Sequence, residues 1–248
     1  MKTHTSQLAG RILPLLAVLS ALLVAVPSRA NLLSLANESQ LETWLGQGDL
    51  SFTNIFTKVA GDGQQANAFH GAADGQGATF TLLEISGGNP THPTMIIGGY
   101  NQSSWNSTTG FTMRLTESER LSFLFNLTSG VKQHQNLNGE GWSGFYSSGD
   151  YETLNQASYG TVWGGGYDLY VNYGLEYGTA YNFSYGGTSY GTNIVGDTGG
   201  NSTFNIARME IYTFSTNTAA VPETAGTAGL LLLSGAGLLA LRRRFAAV

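Results

Sequence analysis

A chain of 248 residues with 34 glycines and no cysteine has room for one domain of moderate size, and it excludes disulfides, thiolate catalysis and Cys-based metal sites. Sixteen acids face eleven bases, but six of those bases (Lys2, Arg11, Arg29, Arg242, Arg243 and Arg244) lie outside residues 31–223, which hold every acid. The central span therefore carries five bases against sixteen acids, a net of −11 rather than −5, and such a surface repels nucleic acid, so no nucleic-acid partner is expected.

Residues 1–30 read as a secretory signal peptide. Lys2 and Arg11 make a positive start, residues 12–26 are an apolar run, and Ser28-Arg29-Ala30 is a small-x-small site that places the cut between Ala30 and Asn31. An apolar run of fifteen residues falls short of the roughly 20 that span a bilayer.

From residue 31 to about residue 50 the pattern is helical. Leu32, Leu33, Leu35, Leu41, Trp44 and Leu45 recur at spacings near three and four, with Asn37 or Ser39 as the N-cap. Phe52, Ile55, Phe56 and Val59 fit one face of a second short helix, which Gly61-Asp62-Gly63 ends. Beyond it the chain reads as short strands divided by Gly, Asn and Ser clusters: residues 78–85, 94–100, 121–127, 144–148, 167–172, 181–185 and 207–214. Alternation such as Phe80 and Leu82 predicts antiparallel strands buried on one side, and no βαβ rhythm is present. The long polar connection over 128–162 predicts further short strands or a surface loop. The glycines are interspersed with tyrosine and tryptophan, which disordered chains avoid, so the composition predicts a folded β domain. Residues 215–224 lack periodicity and read as a linker.

Gly98-Gly99-Tyr100 with Trp105 opens an ordered set of motifs. Phe123-Leu124-Phe125 follows, then Tyr159-Gly160, Gly164-Gly165-Gly166 and Asp168-Leu169, and last Glu210 before Ile211 and Phe214. This set resembles the TLDc domain family. Residues 68–84 are similar to the family's early segment, in which a helix runs through Phe69-His70 into a Gly-bearing turn and the first long strand. Thr161 stands where the family has proline, Trp163 where it has phenylalanine, and the 129–158 region is longer than typical. The resemblance covers residues 31–214, most closely 41–214. It implies an all-β dominated (α+β) fold, a two-sheet antiparallel β-sandwich flanked by a few short helices. In eukaryotes the family is associated with oxidative-stress resistance and with binding the vacuolar proton ATPase, intracellular roles that do not transfer to an exported chain. No catalytic residue is implied, so Gly98, Gly99, Trp105, Gly164, Gly165, Gly166, Asp168 and Glu210 are expected to be structural.

The residues themselves point to little chemistry. His70, His92 and His134 lack His-x-His or His-x-x-x-His spacing, so no metal ion and no cofactor are expected. The residues around Ser143 do not form Gly-x-Ser-x-Gly, and Ser143 reads as a turn residue. Asp62 and Asp74 lack the alternating oxygen ligands of an EF-hand and read as turn formers. Gly164-Gly165-Gly166 has no following Lys-Ser/Thr and reads as a sharp turn, not a phosphate loop. Asp168 and Glu210, on or beside strands, are the acids to inspect for a glycosidase-type carboxylate pair; for Asp168 a fold-stabilising hydrogen bond is the expected role. Twelve tyrosines and four tryptophans on a polar scaffold resemble the makeup of sugar-binding surfaces, and residues 143–151 and 181–193 set aromatics beside Ser, Asn and Gly. Asn37, Asn101, Asn106, Asn126, Asn182 and Asn201 begin Asn-x-Ser/Thr triplets and fit a polar surface.

The chain ends in Val221-Pro222-Glu223, an apolar stretch of seventeen residues over 225–241, and Arg242-Arg243-Arg244. As a helix that stretch would reach only ~26 Å, a marginal span. Pro-Glu motif, short apolar helix and basic cluster at the extreme C-terminus resemble the PEP-CTERM sorting signal of Gram-negative bacteria, with Thr224 where the commonest form has a second proline. The resemblance implies processing by an exosortase-type membrane enzyme; a permanent anchor with its arginines in the cytoplasm is the alternative for 225–248. The whole predicts an exported protein that passes through an inner-membrane intermediate to the cell surface or the extracellular polymer. Secretion machinery and the sorting enzyme are its expected transient partners, and exopolysaccharide or surface proteins its lasting ones. A non-catalytic interaction or structural module is the expected function. A polysaccharide hydrolase or sugar-binding module, and a stress-protective protein by family analogy, are the alternatives.

Overall fold

A computed structural model describes residues 31–89, 92–141, 149–187, 191–198 and 200–217. The signal peptide with Ala30, residues 218–224 of the linker with Val221, Pro222 and Glu223, the 225–248 segment with Arg242, Arg243 and Arg244, Ser143, and the strand expected over 144–148 lie outside the described residues.

Among the described residues, two α-helices and eleven strands follow in the order α1 (Leu35–Leu45), β1 (Leu50–Val59), α2 (Ala66–Ala73), β2 (Thr79–Asn89), β3 (His92–Asn101), β4 (Gly110–Met113), β5 (Phe123–Asn126), β6 (Val131–His134), β7 (Tyr151–Asn155), β8 (Val162–Trp163), β9 (Leu169–Val171), β10 (Tyr177–Ala180) and β11 (Ser202–Thr216). The ladder runs β4-β7-β8-β9-β10-β11-β2-β3-β5-β6, with β1 on β11. Every strand pairing is antiparallel. The long β11 is the pivot. Its first residues pair with β10, its last with β1, and β2 runs along its other edge. On either side of that pivot the ladder doubles over, and Trp163, Leu169 and Val171 of one layer meet Leu83, Ile97, Leu124 and Ile211 of the other in one apolar core. The antiparallel β-sandwich expected from the sequence is what forms, its two layers joined through β10 and β11.

A second apolar cluster covers the opposite face of the central strands. Leu32, Leu33 and Leu41 pack there on Phe80, Leu82, Tyr100, Phe123, Phe125 and Tyr212. Strand β2 is therefore buried on both faces, with Leu83 and Ile85 in the inner core and Phe80 and Leu82 in the outer cluster, where its alternation had predicted one buried side. Helix α1 is the lid of that cluster. It is capped by Ser34, not by Asn37 or Ser39: the Asn37 amide donates to Ser34 Oγ at 3.3 Å, and the Asn37 side chain donates to Leu32 O at 2.7 Å.

Two further expectations meet a different structure. Phe52, Ile55, Phe56 and Val59 lie in strand β1, not in a helix. Asn54 faces Tyr212 and Phe56 faces Ile211, so Ile55 is the extra residue of a bulge. The bulge sends Phe52 to the outer cluster and Phe56 to the inner core, and a helical spacing of four is two faces of one bent strand. Residues 181–185 form no strand, because the amides of Phe183, Ser184 and Tyr185 donate to the Asp168 carboxylate and are lost to any ladder. The connection over 128–162 does hold further short strands, β6 and β7.

Candidate functional site

Gly99, Trp105, Trp163, the Gly164-Gly165-Gly166 turn and Asp168 meet at the seam between the layers. Gly99 on β3 lies under the Trp163 ring, where an added Cβ would stand 2.6 Å from Trp163 Cε2. A Cβ on Gly98 would stand 1.9 Å from Thr81 O. Trp163 meets Trp105 edge-on at 5.2 Å, and Trp105 Nε1 donates to Thr79 Oγ1 at 2.9 Å. Trp163 leads into Gly164-Gly165-Gly166, the turn between β8 and β9. Gly164 takes φ 77°, and a Cβ there would fall 1.9 Å from Asp168 Oδ2, so both conformation and space require glycine. The Gly165 amide donates to Ser184 Oγ at 3.0 Å, and Gly166 lies against the Phe183 ring.

Asp168 is the centre of this turn. Its Oδ1 accepts the amides of Phe183, Ser184 and Tyr185 at 2.6, 2.9 and 3.1 Å, and no part of it reaches solvent. Burial raises its pKa to about 6 against the pull of those amides. The carboxylate thus stitches the segment 183–185 to the β8–β9 turn and offers no oxygen to a substrate.

Glu210 lies on the opposite face of the sheet, in the outer cluster. Its Oε2 accepts the Leu32 amide at 3.0 Å and the Tyr212 hydroxyl at 2.7 Å, and its Oε1 pairs with Arg208 Nη2 at 2.6 Å. Burial, then the bond to Glu210, pushes the Tyr212 hydroxyl well up, which keeps it a donor. Asp168 and Glu210 therefore do not form a pair: one closes a turn, the other fastens the start of the domain to its last strand.

A polar network that the sequence reading missed links the layers beside the motif residues. Fully buried Glu152 accepts from Arg114 Nε at 2.8 Å, Ser122 Oγ at 2.7 Å and Ser103 Oγ at 3.0 Å. Arg120, also buried, donates to Asn136 O at 2.7 Å and to Arg114 O at 3.1 Å and pairs with Asp150. The one available signal was that Arg114 and Arg120 are two of only five bases in the body.

The histidines and turn acids have local partners. His70 Nδ1 lies 2.7 Å from Asp74 Oδ1 and its Nε2 faces the carbonyls of Gln156 and Tyr159, which ties α2 to the β7–β8 connection. His134 Nε2 lies 3.0 Å from Glu140 Oε2, and the side chain of His92 is outside the description. Asp62 caps its turn by accepting the amides of Val59 and Gln64. Among the described residues, no three metal-binding side chains converge.

Of the aromatics singled out in residues 181–193, Tyr185 is fully buried and Tyr181 and Phe183 pair at 5.4 Å. Exposed rings are instead found at Tyr167, Tyr173 and Tyr177. The expected polar surface of the six Asn-x-Ser/Thr triplets holds only in part. Asn101 and Asn126 are buried, and the latter donates to Ile194 O at 3.0 Å; Asn201 is exposed.

With this geometry in hand, comparison with known families gives a match to the family described as the TLDc domain over residues 29–215, which contains every motif position above. No curated protein matches the chain.

Proposed function

The chain belongs to the TLDc domain family, and from that premise we propose that it is an exported interaction or structural module, without catalysis of its own, sorted by its C-terminal segment. The observation that carries the non-catalytic reading is the fate of the buried acids. Asp168, Glu210 and Glu152 are each enclosed by donors of the same chain. A glycosidase needs two carboxyl groups facing one sugar across a cleft; here one holds a turn, one holds the N-terminal segment and one holds two loops. Export and sorting are supported by the two ends, the signal-like start with Ser28-Arg29-Ala30 and the Pro222-Glu223, apolar and triple-arginine order of the tail.

Mass spectrometry of both termini of the native protein, from cells and medium separately, tests the reading. A chain that begins at Asn31 and stops near Glu223 is the expected product. A membrane fraction that retains Arg242, Arg243 and Arg244 replaces sorting by permanent anchoring, and an intact residue 1 in every fraction overturns export.

A further inference from the structure

Tyrosines gather on one face of the β8–β10 layer. The rings of Tyr159 and Tyr170 lie 5.1 Å apart, those of Tyr167 and Tyr170 5.5 Å, and those of Tyr159 and Tyr167 6.3 Å. Tyr177 stands on β10 two residues before Thr179, the cross-strand partner of Tyr170, and so adds a fourth phenol to the same face. Tyr167 is 37% and Tyr177 44% exposed.

The backbone around this patch is held in costly shapes. Among the described residues, Tyr167 (φ 62°) and Leu175 (φ 55°) are the two non-glycine residues with positive φ, and they bracket β9. Such a conformation costs about 1 kcal/mol or more for a residue with a Cβ. Tyr167 is held by its neighbour Asp168, which grips residues 183–185. Leu175 is held by full burial and by Asn172, whose Oδ1 accepts the amides of Glu176 and Tyr177. Glycine would adopt this φ without that cost, and strain that fixes a partly exposed ring points to binding.

Charge selects the partner. All five bases of the body are engaged elsewhere: Lys58 is buried beside Asp62 and Glu176, Arg114 pairs with Glu152, Arg120 with Asp150 and Arg208 with Glu210, and Lys132 reaches Trp44 O over the Phe123 ring. No cation of the body is at hand for uronate, sulfate or phosphate, and the net charge of −11 over residues 31–223 repels them. Burial and the neighbouring phenols of Tyr159, Tyr177 and Tyr167 push the Tyr170 hydroxyl up, so that phenol stays a neutral donor.

We propose that Tyr159, Tyr167, Tyr170 and Tyr177 form a preorganised platform for an uncharged polysaccharide. Its pyranose rings would lay their C–H faces on the tyrosines and exchange hydrogen bonds with the phenols. The proposal rests on the reading of the domain as an interaction module and names that module's partner. Native gel electrophoresis of the full chain tests it, in gels containing dextran, hydroxyethyl cellulose or galactomannan, with alginate as the anionic counterpart. Retardation is expected in at least one neutral gel and not in alginate. Tyr177→Ala weakens it about tenfold, the loss of one good ring contact. Tyr167→Gly weakens it similarly while the Tm stays level or rises, because glycine accepts the left-handed backbone freely. Leu35→Ser on α1 leaves retardation unchanged. Tyr177→Ala carries the test alone where Tyr167→Gly lowers the Tm. No retardation in any neutral gel, retardation in alginate alone, or retardation that survives both tyrosine substitutions overturns the proposal. Any of these leaves the result on the termini intact, so the two readings fail separately.

Discussion

Asp168→Asn separates the two forces on the buried carboxylate. Burial raises its pKa from 3.8 to about 6, while the amides of Phe183, Ser184 and Tyr185 pull it down. Because the folded value lies above the unfolded one, Asp168 contributes stability that is fully present below 3.8 and is lost as the pH rises through about 6. A gap of that width amounts to about 3 kcal/mol, of which about 1 kcal/mol falls between pH 5 and pH 7. Asparagine keeps the shape and one acceptor oxygen but does not titrate. Urea unfolding of both proteins at the two pH values therefore isolates the contribution, since every other titrating group cancels in the difference. The stability of the variant relative to the natural protein is expected to rise by about 1 kcal/mol from pH 5 to pH 7. A difference that stays flat or falls refutes the reasoning, and the amides would then outweigh burial in setting the state of the carboxylate.

Two other substitutions probe the packing of the motif residues. Gly99→Ala drives a Cβ into the Trp163 ring, and a loss of about 1–3 kcal/mol is expected as a lower urea midpoint at unchanged m; an unchanged midpoint would mean that the indole moves without cost. Glu210→Gln removes the carboxylate that Arg208 faces and is expected to cost about 3 kcal/mol. It also speeds hydrogen exchange at the Leu32 amide, which donates to Glu210, and a Leu32 amide as protected as before would separate Glu210 from the docking of the N-terminal segment.

The sequence was most legible where the chain is long and apolar. Strands β2, β3 and β11 carry the runs around Leu82, Ile97 and Ile211, and their antiparallel pairing follows from the absence of crossover helices. It was least legible where one residue redirects the backbone. The bulge at Ile55 gives a strand the spacing of a helix, and Asp168 draws the amides of 183–185 out of a segment with good strand composition. The glycine motifs could be seen, but not what they accommodate: the ring over Gly99 comes from Trp163, far along the chain. Arg114 and Glu152 are 38 residues apart and sit in no periodic pattern, so a network built from such single residues leaves no local trace. The same holds for the platform, whose tyrosines come from two strands and two connections.

The place of β11 in the ladder decides when this molecule can take shape. Strands β1, β2 and β10 all pair with it, and the bond from Ser51 Oγ to Asn217 Oδ1 closes a loop of 166 residues. Until residues 202–216 have emerged from the ribosome, β1 has no partner strand, and the run β2-β3-β5-β6 has nothing to join it to the run β4-β7-β8-β9-β10. Contacts of such separation in sequence make folding slow. The two halves of the sandwich therefore stay unjoined until the end of synthesis, whatever pairing each has reached within itself. Closure of the sandwich is then a late event, set by the arrival of the last strand.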